Sequence, residues 1–211
     1  MKKIPDFSIE KNCGYKIIAG ADEAGRGPLC GPVVAGAVIF KKYDFDDMPL
    51  ITDSKQMSEK QREIAYNWIT NNPDIIWAVA QCSAQEIDEM NILNASMTAM
   101  KRAIEKLSIQ PEYCLIDGNK MPKGLTGESV VKGDATSVSI AAASIIAKQT
   151  RDKIMRELAL KYPQYCWDKN MGYPTQQHLQ AIEKYGINEH YRKTYRPVKE
   201  KGDKNDNTQN L

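Results

Sequence analysis

Asp22 and Glu23 stand side by side directly after the apolar run IIAGA, where two adjacent carboxylates are costly unless water, cations or donors compensate them. Three residues further on, Arg26 sits between Gly25 and Gly27. Two chemistries fit this group. As an isolated dipeptide, Asp-Glu with a nearby arginine reads as a structural ion pair in a loop. The other reading is a ligand cleft: glycines let the main chain approach a ligand closely, and Arg26 between them is a natural donor to a phosphate or sugar. A further carboxylate, Asp117, closes the run EYCLID just before Gly118. His178 and His190 are given no chemical role, because a lone histidine is more often structural or exposed than catalytic. Cys13, Cys30, Cys82, Cys114 and Cys166 are scattered and form no C-x-x-C pair, so nothing points to zinc.

These side chains need elements to position them. Between Lys16 and Phe40 two β-branched runs, KIIAGA and GPVVAGAVIF, flank the turn EAGRGPLCG, which predicts two adjacent strands with a demanding connection. Successive residues on a strand face opposite ways, so Asp22 and Glu23 can serve one site only if the strand ends or bulges there. Ser58 with Gln61 makes a capping-box pattern for a helix running to about Asn71, with Ile64, Ala65, Trp68 and Ile69 on one face. Ile75 to Cys82 reads as a third strand, Ser83 with Glu86 opens a short helix, and another helix is expected over Ala95 to Leu107. EYCLID, residues 112–117, reads as a buried strand with Asp117 at its carboxyl end, where open α/β sheets bind ligands. From Ser139 to about Tyr162 there is no Gly or Pro, so a long helix is expected, beginning with the small-residue stretch SIAAASIIAK. Ser144, Lys148 and Asp152 share one face of it. Thr175 opens a last helix to about Tyr185, and KEKGDKNDNTQNL is a polar tail.

At 211 residues the chain fits one domain, 1–198, followed by a flexible tail, 199–211. Hydrophobic residues at 42% and charged residues at 27% exclude a disordered or fibrous chain. Lys and Arg number 29 against 27 Asp and Glu, so a nucleic-acid contact must come from local basic clusters rather than the overall field. The segment MKKIPDFSIEKNCGYK contains no apolar core of a signal peptide. No stretch approaches the roughly 18 apolar residues of a membrane span. With the odd number of scattered cysteines, these features lead us to expect a cytoplasmic protein.

The motifs line up as a set. GADEAGRGPLCGPVVAGAV, from Gly20 to Val38, resembles the opening motif of type 2 ribonucleases H, with its Asp-Glu-x-Gly-Arg-Gly core. Asp53-Ser54-Lys55, Asp117-Gly118, KGDATSVSIAAASIIAKQTRD ending at Asp152, and GYPT from Gly172 to Thr175 resemble the family's later motifs in order. The five matches cover roughly residues 16 to 198. Gly-Arg-Gly, rather than Gly-Lys-Gly or Gly-Thr-Gly, resembles the HII branch more than HIII.

The resemblance implies an α/β, ribonuclease-H-like fold with a mixed central sheet flanked by helices. It also implies a catalytic, metal-binding set of Asp22, Glu23, Asp117 and Asp152. Four oxygen donors suit Mn²⁺ or Mg²⁺, with two ions in the catalytic complex. The expected reaction is endonucleolytic hydrolysis of the RNA strand of RNA–DNA hybrids, and incision at ribonucleotides embedded in duplex DNA, leaving 3′-hydroxyl and 5′-phosphate ends. Gly25, Arg26 and Gly27 would read the ribose 2′-hydroxyl, and Tyr173 would pack on the sugar at the RNA–DNA junction. Lys55, Lys148, Arg192 and Arg196 are candidate phosphate contacts. The enzyme is expected to be monomeric and free of membranes. Two alternatives stand beside this reading: an HIII-type preference for long hybrids, and a non-catalytic duplex-binding module built on the basic segment HYRKTYRP.

Overall fold

The two runs expected as adjacent strands pair directly. In the computed structural model, which describes residues 4–200, β1 (Ile18–Ala24) lies antiparallel to β2 (Val33–Phe40), and β2 lies antiparallel to β3 (Ile75–Cys82). On its other side β1 runs parallel to β4 (Tyr113–Asp117), which is parallel to β5 (Gly127–Val130). The sheet order is therefore β3-β2-β1-β4-β5. Around it run α1 (Ser8–Asn12), α2 (Glu59–Asn71), α3 (Ala84–Met90), α4 (Ile92–Glu105), α5 (Val138–Lys161), α6 (Trp167–Asn170) and α7 (Gln176–Tyr185). The architecture is the expected mixed sheet flanked by helices.

Local chemistry sets the helix starts. Both capping boxes form, Ser58 with Gln61 and Ser83 with Glu86, each satisfying two otherwise orphaned N–H groups. Ser137 caps α5 through the Ile140 N–H, and Thr175 caps α7 through the His178 N–H. Helix α4 begins three residues earlier than expected, because Asn91 takes a left-handed φ of 67° and accepts from the Asn94 N–H. On α2, Ala65 and Ile69 are buried, but Ile64 is turned to solvent. α1, β5 and α6 are short and have no apolar periodicity, and no sequence pattern announces them.

Strand alternation divides the core. Ala19, Ala21, Ala35, Ala37 and Ala80 face Ala95, Ala99, Ala103 and Ile104 of α4. Val38 and Phe40 face the opposite side, against α2 and α5. Helix α5 sits unusually close to the sheet, over a track of glycines: a Cβ at Gly20 would lie 2.2 Å from the Ser139 carbonyl carbon, and one at Gly36 would lie 2.5 Å from the Ala143 oxygen. The small residues opening α5 and the glycines of β1 and β2 are therefore one device. Alanine at either glycine would force backbone apart, an overpacking cost of about 1–3 kcal/mol or more.

Beyond α5 the chain folds back on the loop after β1, where Leu29, Cys30, Met155, Trp167, Tyr191 and Val198 share a core. Residues 196–200 are helical, and most of the polar tail expected over 199–211 falls beyond them. Residues 201–211 lie outside the described part. Among the described residues, no helix is long and apolar enough to cross a membrane.

Candidate active site

The parallel ladder between β1 and β4 ends at the pair Ala21 and Ile116. One residue further on, Asp22 and Asp117 stand next to each other at the strand ends. By alternation they share the face of Ile18 and Leu115, which pack with Ile140 of α5. The antiparallel ladder with β2 continues to Ala24, so β1 has no bulge. It simply runs past the end of β4. Glu23, although of opposite parity, is freed on that side and lines the same cleft. The strand end, not a kink, brings both carboxylates to one site.

Hydrogen bonds fix the acids. Asp117 Oδ1 accepts from the Gly133 N–H at 2.8 Å and the Asp134 N–H at 3.4 Å, while Asp22 Oδ1 accepts from the Glu23 N–H at 2.6 Å. Arg26 lies 3.3 Å from Glu23 Oε1, so the ion pair foreseen as a structural alternative exists within the cleft. Burial, then the charges of Glu23, Asp117 and Asp134, push the Asp22 carboxyl well above the usual carboxylate range. Burial likewise raises Glu23, partly offset by Arg26. Asp134 is pushed up to about 6, by burial and then by Asp117 and Asp53. Burial alone would depress the Lys55 ammonium, but Asp22, Asp53, Asp134 and Asp117 outweigh it and raise it. Asp22, Glu23 and Asp117 thus line one cleft, and Asp134, whose N–H reaches Asp117, stands near enough for its charge to raise Asp22.

Asp152 is not one of them. It is buried on α5 with Oδ1 2.8 Å from Lys148 Nζ, and it is not among the main charges acting on the clustered acids. The helical stripe Ser144, Lys148, Asp152 does border the cleft, but only its first two members line it. The signal for Asp134 was in the sequence, in KGDA just upstream of α5. A lone acid in a short connection carries no periodicity, whereas Asp152 closes the long-helix motif to which the family resemblance assigns the fourth acid. The donor set fits a hard cation, being all carboxylate oxygen. Among the described residues, no three such groups are yet close enough to enclose an ion.

Opposite the acids lies the Gly-Arg-Gly turn. Gly25 has φ +98°, and a Cβ there would lie 2.1 Å from Arg151 Nε, so only glycine fits. A Cβ on Gly27 would meet Tyr173 Cε1 at 3.4 Å, which shows how near the tyrosine stands to the turn. Arg26 and Tyr173 are half-exposed. Lys55, Lys148, Ser54 and Ser144 complete the wall of a cleft of about 500 Å³, with the two serine hydroxyls 2.7 Å apart. Arg62, which no sequence pattern singled out, also lines it and donates to the Ser54 carbonyl at 3.0 Å.

His178 is structural. Its Nε2 accepts from Trp167 Nε1–H at 3.1 Å, and since indole can only donate, Nδ1 carries the proton and donates to the Tyr173 carbonyl at 2.9 Å. Burial lowers its pKa and keeps it neutral.

Two basic residues expected at phosphates are elsewhere. Arg192 is fully buried, with its guanidinium spent on the carbonyls of Gly25, Arg26 and Gly31, so it has no surface with which to meet a phosphate. Arg196 is 90% exposed, pairs with Glu200 at 2.9 Å, and does not line the cleft.

A protein-family model for ribonuclease HII matches residues 19–198. The chain belongs to the ribonuclease HII family. A ribonuclease HII of Magnetococcus marinus is 50% identical over 206 residues, covering 93% of this chain and 94% of that protein. Among solved structures, the ribonuclease H2 of Pyrococcus horikoshii OT3 superposes with a TM-score of 0.73 at 28% identity, over 89% of this chain and 98% of that one. Bst-RNase HIII, solved in complex with Mn²⁺, gives a TM-score of 0.67 at 16% identity, over 94% of this chain and 73% of that one. That last likeness bears on the fold alone. The protein is thus an enzyme, a ribonuclease H hydrolase with the ribonuclease-H-like fold. A non-catalytic duplex-binding module is set aside by the same family match.

Proposed function

We propose that this ribonuclease HII hydrolyses the RNA strand of RNA–DNA hybrids and also incises duplex DNA at single embedded ribonucleotides, leaving 3′-hydroxyl and 5′-phosphate ends. The observation that carries this reading is the juxtaposition across one cleft of clustered carboxylates and a glycine turn backed by Tyr173. Asp22, Glu23, Asp117 and Asp134 would hold two divalent cations, Mg²⁺ or Mn²⁺, Asp134 taking the place first expected for Asp152. Bound there, the cations would supply water activation, charge relief on the phosphate and stabilisation of the leaving oxygen.

The chain's own residues do the rest. Gly133 and Asp134 N–H groups hold one oxygen of Asp117 and leave the other for the cleft. Exposed Lys55 and half-buried Lys148, beside the acids, meet strand phosphates. The main chain of Gly25, Arg26 and Gly27 reads the ribose 2′-hydroxyl, the group that distinguishes a ribonucleotide from its neighbours. Tyr173 covers the sugar. Five free cysteines, three of them buried, suit a reducing, cytoplasmic setting.

The test is incubation with a duplex carrying one ribonucleotide, and with a continuous hybrid, in Mg²⁺, Mn²⁺ or chelator. Cleavage of both in metal and of neither in chelator is expected. Cleavage of the continuous hybrid alone would replace this reading with an HIII-type specificity, and cleavage in chelator would overturn the cation chemistry.

A further inference from the structure

Arg192 is a buried cation that forms no salt bridge among the described residues, with Asp88 the nearby carboxylate whose charge acts on it. Such a charge is costly unless its donors are matched. Here they are matched to backbone: the Gly25 carbonyl at 2.6 Å, the Arg26 carbonyl at 2.9 Å, and the Gly31 carbonyl at 2.9 and 3.1 Å. The Arg26 carbonyl takes a second bond, from the Tyr195 hydroxyl at 2.6 Å. That hydroxyl in turn accepts from Arg192 at 3.1 Å. The segment is itself anchored: the Arg192 N–H donates to the Leu29 carbonyl at 2.9 Å, and Asp88 of α3 accepts from the Lys193 and Thr194 N–H groups at 2.8 and 2.9 Å.

These bonds have a consequence on the opposite side of the turn. In a planar trans peptide the C=O and the following N–H point in opposite directions, and the chain has no cis bond among the described residues. With the Gly25 and Arg26 carbonyls drawn inward, the N–H groups of Arg26 and Gly27 are turned outward. Among the described residues, neither donates to a protein group.

We propose that Arg192 and Tyr195 are positioning residues that hold the Gly25 and Arg26 carbonyls inward, so that the adjacent N–H groups face the cleft as ready donors to the ribose and its phosphate. The inference rests on the proposed reading of the 2′-hydroxyl by this turn. It gives Arg192 a role that its basic character alone would not suggest: it acts through the main chain of the turn, touching no phosphate.

The test compares KM for a duplex with one ribonucleotide against the inhibition constant of the same duplex in all-DNA form, in wild type, Tyr195→Phe, Arg192→Lys and Arg192→Met. Tyr195→Phe removes one bond to the Arg26 carbonyl and leaves the buried charge in place, so it serves if Arg192→Met does not fold. The discrimination ratio should fall about 2- to 10-fold in Tyr195→Phe and at least about 10-fold in Arg192→Met, with Arg192→Lys between them. The salt dependence of all-DNA inhibition should stay as in wild type, since no phosphate contact is lost; a phosphate ligand would lower that slope by about 1. A wild-type ratio near one would sink the reading by the turn itself. A clear wild-type ratio that survives in folded Tyr195→Phe and Arg192→Lys would overturn the positioning role and leave that reading intact.

Discussion

The two walls of the cleft are built by opposite means. On the acidic wall, Asp22 and Asp117 stand together because two parallel strands run in register and one ends before the other; the sheet would place any side chains there equally well. On the glycine wall, the turn has no regular pairing of its own and is held by Arg151 and Arg192. Arg151 donates to the carbonyls of Pro32, Cys30 and Met171, and it comes from α5. A regular element can set a constellation through its register alone, whereas an irregular one has to be held carbonyl by carbonyl from outside.

The sharpest way to break this contrast is to exchange the roles of two aspartates. If the acidic wall is the set at the strand ends, Asp134→Asn should lower kcat on the order of 10³-fold, the scale of losing a cation's several kcal/mol of transition-state stabilisation. Asp152→Asn, which loses a partner for Lys148, should cost no more than about 10-fold. Steady-state rates of the two folded variants decide it, and a larger loss in Asp152→Asn would restore the helical face as part of the acidic set.

Next in size is Tyr173→Ala on the glycine wall. It should reduce kcat/KM on a single-ribonucleotide duplex by about 1–3 kcal/mol if stacking dominates. The loss on a continuous hybrid should be smaller, because neighbouring 2′-hydroxyls offer other registers. An unchanged ratio between the two substrates would mean that the tyrosine supports both alike.

The smallest effect is on stability. Asp134 keeps its proton up to about 6 in the folded protein, against an ordinary value of 3.8. The folded state thus binds that proton more tightly than the unfolded chain does. In metal-free protein the contribution of this group should be fully present below about pH 4 and be lost as pH rises through about 6. After screening by solvent, the increment is about 1 kcal/mol. Melting temperatures between pH 4 and 8 in chelator should show the fall in wild type and a flatter curve in Asp134→Asn; a parallel fall in both would assign it to another group.

The acidic wall was also the more legible one. IIAGADE and EYCLID carry strand patterns that end in carboxylates, and the run without Gly or Pro from Ser139 foretold the long helix α5. The capping boxes gave the starts of α2 and α3 because both partners lie within four residues of each other. What escaped was set by geometry between distant segments. Asp134 sits in a one-turn connection without a pattern, and its importance comes from Asp117, reached through the fold. Arg192 was read by its charge as a surface contact, and only the folded chain reveals the carbonyls that consume its donors. Arg62 went unnoticed because it looks like any polar residue in the first turns of α2.

The brace lies far along the chain from what it braces: Arg192 reaches back 167 positions to Gly25. During synthesis the Gly-Arg-Gly turn leaves the ribosome early, while the segment that orients it is still untranslated. At about 5–20 residues per second, the interval is on the order of ten to thirty seconds. Nascent chains stalled before Arg192 should therefore bear the acids and the turn yet lack ribose selectivity, and they should gain it once the last described residues have emerged. Competence would arrive as a late, single event in the life of the molecule, set by when the Arg192 segment is made.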